Sequence, residues 1–77
     1  MTTIRFDLPA ASKVVLQVFD VTGSLVATLA DGRMDGGQHA VVWNGKNKRG
    51  RIVASGVYFC RLEAGKFVAT RKLVMLR

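Results

Sequence analysis

The residues able to do chemistry are few in this chain. One histidine, His39, and one cysteine, Cys60, stand among five carboxylates and twelve Lys and Arg. A structural or catalytic metal centre gathers three or four His, Cys or acidic ligands, and no second His or Cys stands at ligand spacing from either residue. His39 therefore reads as a strand-edge residue with its ring partly covered. Cys60 lies inside the apolar run Val57-Tyr58-Phe59-Cys60 with no His beside it, so it reads as a core thiol rather than a nucleophile or redox sensor. Being alone, it can close no internal disulfide. Ser12, Ser24 and Ser55 sit beside turns without a G-x-S-x-G setting. No carboxylate pair suggests acid and base roles, and no Gly-rich loop leads into Lys-Ser or Lys-Thr. These residues give no catalytic site, no metal site and no cofactor site, which leaves binding or targeting as the activity.

The strongest charged feature is the stretch from Asn44 to Arg51, where Lys46, Lys48, Arg49 and Arg51 crowd into one polar loop. With a net charge of +7 the chain attracts anionic partners at long range, whatever its fold. Specific nucleic-acid binding would need exposed aromatics interleaved with the cations, or a groove-reading helix, and this loop has no aromatic. It reads as a solvated loop, with an anion-binding role as its alternative.

The elements that must hold these residues follow a period of two. Between Gly and Asn-Gly breaks, apolar and polar residues alternate as in half-buried strands, and helical periodicity is absent. The first strand is expected over Thr2 to Leu8, with Ile4, Phe6 and Leu8 on one face, ended by Pro9, which cannot donate to a ladder. Lys13 to Asp20 follows, with Val14, Leu16 and Val18 inward and Val15 and Phe19 on a second surface. Asp20-Val21-Thr22-Gly23 reads as a turn capped by the aspartate. An irregular or edge strand is expected over Ser24 to Leu29, then a loop through Asp31 to Gly37, then a strand from Gln38 to Asn44 with His39, Val41 and Trp43 on one face. After the basic loop a short strand is expected at Ile52 and Val53. Val57 to Ala64 and Lys66 to Leu76 form a hairpin about Ala64-Gly65. Arg71 and Lys72 stand side by side in that last strand, so one of them must face the core unless a bulge resets the register, and a bulge or change of sheet is expected there.

Six or seven short antiparallel strands without a helix point to an all-β sandwich or small barrel, with Trp43 and Tyr58 as the aromatic anchors of its core. Seventy-seven residues make one domain, spanning positions 1–77, with a modest core.

Five stretches, in order, carry a resemblance over nearly the whole chain. They are Thr3-Ile4-Arg5-Phe6-Asp7-Leu8-Pro9, Val18-Phe19-Asp20-Val21-Thr22-Gly23, His39-Ala40-Val41-Val42-Trp43-Asn44-Gly45, Ser55-Gly56-Val57-Tyr58-Phe59 and Thr70-Arg71-Lys72-Leu73-Val74-Met75-Leu76. Together they resemble the Ig-like domain named after the flagellar hook-capping protein, and equally the type A C-terminal sorting domain of type IX secretion. No single one of these motifs is specific; their order and spacing are. The resemblance implies an immunoglobulin-like β-sandwich at the C-terminus of a secreted bacterial protein, linked to an upstream domain and read by secretion proteins of the outer membrane. It places the protein outside the cell or on its surface, reached through the periplasm. The recognised positions it implies are Gly56 and Tyr58 of a G-x-Y motif, and Lys72 with Leu73 and Val74 in the last strand. Their plainer reading is a turn glycine, a core tyrosine and a closing strand.

Two departures stand out. Family members begin with an Asn-Pro-rich stretch, whereas here Met1 directly precedes Thr2, so the chain looks like an excised domain, with any export leader elsewhere. The loop after the tryptophan usually carries aspartates, and here Asn44, Asn47 and Lys48 take their places, which disfavours a cation site. Two other functions compete. One is an assembly module whose edge strand pairs with a neighbour, locked through Cys60. The other is an adhesion or substrate-docking module, for which the expected flat row of exposed aromatics is missing.

Overall fold

The computed structural model describes residues 1–76, all but Arg77. Six strands follow in order: β1 (Thr2–Leu8), β2 (Ser12–Phe19), β3 (Leu25–Met34), β4 (Gly37–Trp43), β5 (Gly56–Ala64) and β6 (Phe67–Met75). They form two antiparallel sheets, one of order β1-β4 and one of order β3-β2-β5-β6. The alternation in the sequence is what layers them. Ile4, Phe6 and Leu8 of β1 are buried, as are Val14, Leu16 and Val18 of β2, while the residues between them lie outward or half-covered. Antiparallel sheets that bury one face and wet the other have this pattern, and two such faces packed together make an immunoglobulin-like sandwich.

The aromatic anchors stand where the sequence puts them. Trp43 is 1% exposed and meets Tyr58 edge to face, ring centroids 5.1 Å apart. Their polar atoms are satisfied within the chain: Trp43 Nε1 donates to the Lys46 carbonyl at 3.0 Å, and the Tyr58 hydroxyl donates to the Ala54 carbonyl at 2.6 Å. A tyrosine near the start of a strand that bonds the backbone four residues upstream is the tyrosine corner of immunoglobulin-like sandwiches. Cys60 is 3% exposed, and burial raises its thiol pKa, an effect partly offset by the Arg71 charge. A disulfide between copies through Cys60 would have to breach the core, so the expected lock is corrected.

Three local expectations are also corrected. The third strand does not stop at Leu29 but runs to Met34, pairing Asp31, Gly32 and Arg33 with Val15, Val14 and Lys13. Its polar, glycine-bearing half is tolerable because β3 is an edge strand with only one neighbour to satisfy. The irregularity expected at Arg71 lies instead between β2 and β3, with register shifts at Leu16/Gln17 and Val18/Phe19. The β5–β6 ladder is unbroken from Gly56↔Met75 to Ala64↔Phe67. Arg71 does fall on the inward side of β6, but its long side chain escapes at the flank, where Nη1 donates to the Arg5 carbonyl at 3.3 Å. Finally, Ile52 makes an isolated bridge with Lys46 rather than belonging to a short strand.

Candidate recognition surface

Strand pairing builds one surface that no single motif reveals. On the outer face of the four-stranded sheet, Leu25 pairs with Phe19, Phe19 with Phe59 and Phe59 with Lys72, a row that crosses β3, β2, β5 and β6. One step along, Val57 pairs with Val74. Phe19 and Phe59 are half-covered, while Leu25 and Val57 are each 37% and Val74 53% exposed. The other end of the same face is mixed, with Val15 and Val68 flanking Glu63 among polar neighbours. There Gln17 Nε2 donates to Thr28 Oγ1 at 3.3 Å, and Arg61 and Glu63 form a salt bridge at 2.9 Å. The result is an apolar patch with one cation, Lys72, at its rim, the pattern of a protein docking surface rather than of a reaction site.

The five positions expected from the sorting resemblance separate on this sheet. Lys72 and Val74 face outward within the patch. Leu73, 9% exposed, and Tyr58, 7% exposed, point into the core and reach solvent with little of their surface. Gly56 opens β5 opposite Met75, and a Cβ added there would meet nothing within 4 Å. Alternation along the strand dictates this division, because neighbours in sequence must take opposite faces. Phe19, Leu25, Val57 and Phe59 complete the surface and are not among the site residues expected from sequence. Their signal was the outward apolar residue in a strand whose other face was already apolar.

The basic loop is ordered but not built to grip an anion through its backbone. Lys46, Lys48, Arg49 and Arg51 are exposed, and among the described residues none of them forms a salt bridge. The loop's amides are engaged internally. Lys46 N–H donates to Asn44 Oδ1, the N–H groups of Arg49 and Arg51 donate to Asn47 Oδ1, and Lys48 N–H donates to the Val26 carbonyl. The side-chain oxygens of Asn44 and Asn47 thus act as turn caps. His39 stacks on Phe6 at 5.4 Å and its Nε2 meets the Asp35 carbonyl at 2.7 Å, a partly covered ring on the β4 face.

A family model described as FlgD Ig-like domain matches residues 2–70. The chain belongs to the FlgD Ig-like domain family. That family is a structural, non-catalytic domain type, which points to a structural or assembly module. The match spans β1 to β5 and the first part of β6, and it stops two residues short of Lys72. No curated protein and no solved structure matches the chain.

Proposed function

We propose that this FlgD Ig-like domain is a non-catalytic C-terminal sorting and anchoring module of a secreted bacterial protein, recognised by type IX secretion proteins through the outer face of its four-stranded sheet. One observation carries the reading. Lys72 and Val74, the outward residues of the sorting resemblance, lie in the same apolar patch as Phe19, Leu25, Val57 and Phe59. A partner that covers this patch removes the remaining exposed surface of several apolar side chains, each gaining only a part of the about 1.5–3 kcal/mol that burial from full exposure is worth, and Lys72 fixes its orientation at the rim. In this reading the domain is tethered to an upstream cargo domain, passes through the periplasm and ends at the cell surface. No cofactor is needed. The test is a fusion of residues 1–77 behind a signal peptide and a reporter in a bacterium with a type IX system. The reporter is expected at the surface or in the medium, and its retention in the periplasm would remove the proposal.

The family match favours a second reading, a structural assembly module like the hook-capping scaffold, in which copies associate through unpaired strand edges. Light scattering separates the two. Assembly requires concentration-dependent growth in mass, whereas sorting is served by a monomer.

A further inference from the structure

The two sheets are unequal, and the inequality leaves one flank open. The β1-β4 sheet has two strands against four in its partner, so β1 is paired on one side only. The Arg5 carbonyl faces away from β4, toward Arg71. Backbone groups alternate in direction along a strand, so Thr3, Arg5 and Asp7 all present N–H and C=O groups to this open edge. Along that flank runs a groove of about 590 Å³, walled on one side by Arg5 to Asp7 of β1 with Gln38 to Ala40 of β4 beside them, and on the other by Leu62, Phe67, Ala69 and Arg71. A second depression, lined by Leu8, Pro9, Ala10 and Ala64, continues it past Asp7 and Phe67. Phe67 is 60% exposed at the junction.

We propose that this flank is a strand-acceptor groove for an extended acidic peptide segment of a partner protein. An incoming strand would take the outward β1 groups as its ladder. Its alternate side chains would lie on Phe67, Leu62 and Ala69, the mode in which main-chain bonds give affinity and pockets give selection. The Arg71 guanidinium holds the place of that strand. Its bond to the Arg5 carbonyl is long at 3.3 Å. An amide from the peptide replaces it, and the freed guanidinium then meets a carboxylate of the ligand. Two cations, Arg5 and Arg71, line the groove against the single carboxylate of Asp7, and the chain carries +7 overall, so an acidic segment is favoured over a basic one. A second copy, itself carrying +7, lacks the charge complementarity that an acidic segment of another protein supplies. This groove lies on a different surface from the patch bearing Val74.

The test uses the full chain and a fluorescent decapeptide of alternating Val and Glu, read by anisotropy and by amide hydrogen exchange. Saturable binding is expected, with exchange slowed at Thr3, Arg5 and Asp7. Methylating alternate peptide nitrogens on the edge facing β1 should abolish binding. Arg71→Ala should weaken it roughly tenfold or more, the effect of losing one charge-assisted hydrogen bond, and Val74→Asp should leave it unchanged. The proposal is overturned if a matching decapeptide of alternating Val and Lys binds as well, or if N-methylation has no effect. It is equally overturned by slowing that arises only from self-association, or by no saturation at millimolar peptide.

Discussion

Asp20 and Asn47 hold two loops of the same build with different charge. Each side-chain oxygen accepts the amides two and four residues on, each residue's carbonyl accepts the N–H of a glycine three residues on, and each N–H donates to the carbonyl four residues on. The glycines, Gly23 at φ 87° and Gly50 at φ 78°, take the left-handed conformation that closes the loop. The Thr22 hydroxyl at 2.6 Å, and then the Ser24 amide, hold the Asp20 carboxyl below its ordinary value of 3.8. A depressed folded pKa means that this contribution to stability is complete above the ordinary carboxylate range and is lost as pH falls through the lowered value. Asp20→Asn copies what Asn47 already does, so the variant is expected to fold at neutral pH and to show a shallower acid limb in thermal melts from pH 6 to pH 2. An acid limb as steep as the parent's would mean that the carboxylate is not what titrates. Tyr58→Phe tests the other local device. It leaves the Ala54 carbonyl without its hydroxyl partner and is expected to cost about 1–3 kcal/mol in urea unfolding. Trp43→Ala should cost about 3–5 kcal/mol. At the lower end of the ~4–12 kcal/mol available to a chain of this length, that is enough to leave much of the population unfolded.

The hairpin of β5 and β6 sets what the sheet displays. Its two-residue turn, Gly65-Lys66, needs a glycine first because Gly65 has φ 59°. Gly65→Ala is expected to lose at least about 1 kcal/mol, a fall of about 4–8 °C in thermal midpoint, without moving the register. The register itself is tested by neighbours. Leu73→Asp puts a charge in the core and should abolish cooperative melting, whereas Val74→Asp, one residue on, should stay within about 1 kcal/mol of the parent. Equal damage from both would mean that the strand does not alternate as described. The strands themselves were largely legible in the sequence, since β1 matches its apolar alternation residue for residue and β4 and β5 differ by single residues at their ends. What was not legible depended on partners elsewhere in the chain. Asp31-Gly32-Arg33 has loop composition and becomes strand only because β2 offers an edge beside it. Arg71 looked like a register fault and is accommodated by a carbonyl sixty-six positions away. The apolar patch was half legible for the same reason: the sorting resemblance pointed to Lys72 and Val74, while Phe19 and Leu25 join them only through cross-strand pairing.

Taken as one body, the domain has a sealed core around Trp43 and Tyr58 and a positively charged, partly apolar exterior, so the surfaces it offers to a partner are a sheet face, a flank and a loop. The loop cations are exposed and long-range in effect, contributing attraction that salt screens within roughly 10 Å at 0.1 M. The sheet face is different in kind, because apolar burial survives salt and is lost only when its side chains are changed. The most direct measurement is therefore the reporter fusion carrying Val57→Asp and Val74→Asp together, alongside the parent fusion, with urea melts of both isolated domains. Recognition through the outer face predicts a doubly substituted domain that still melts cooperatively while its reporter stays in the periplasm. A folded variant exported as efficiently as the parent would contradict it.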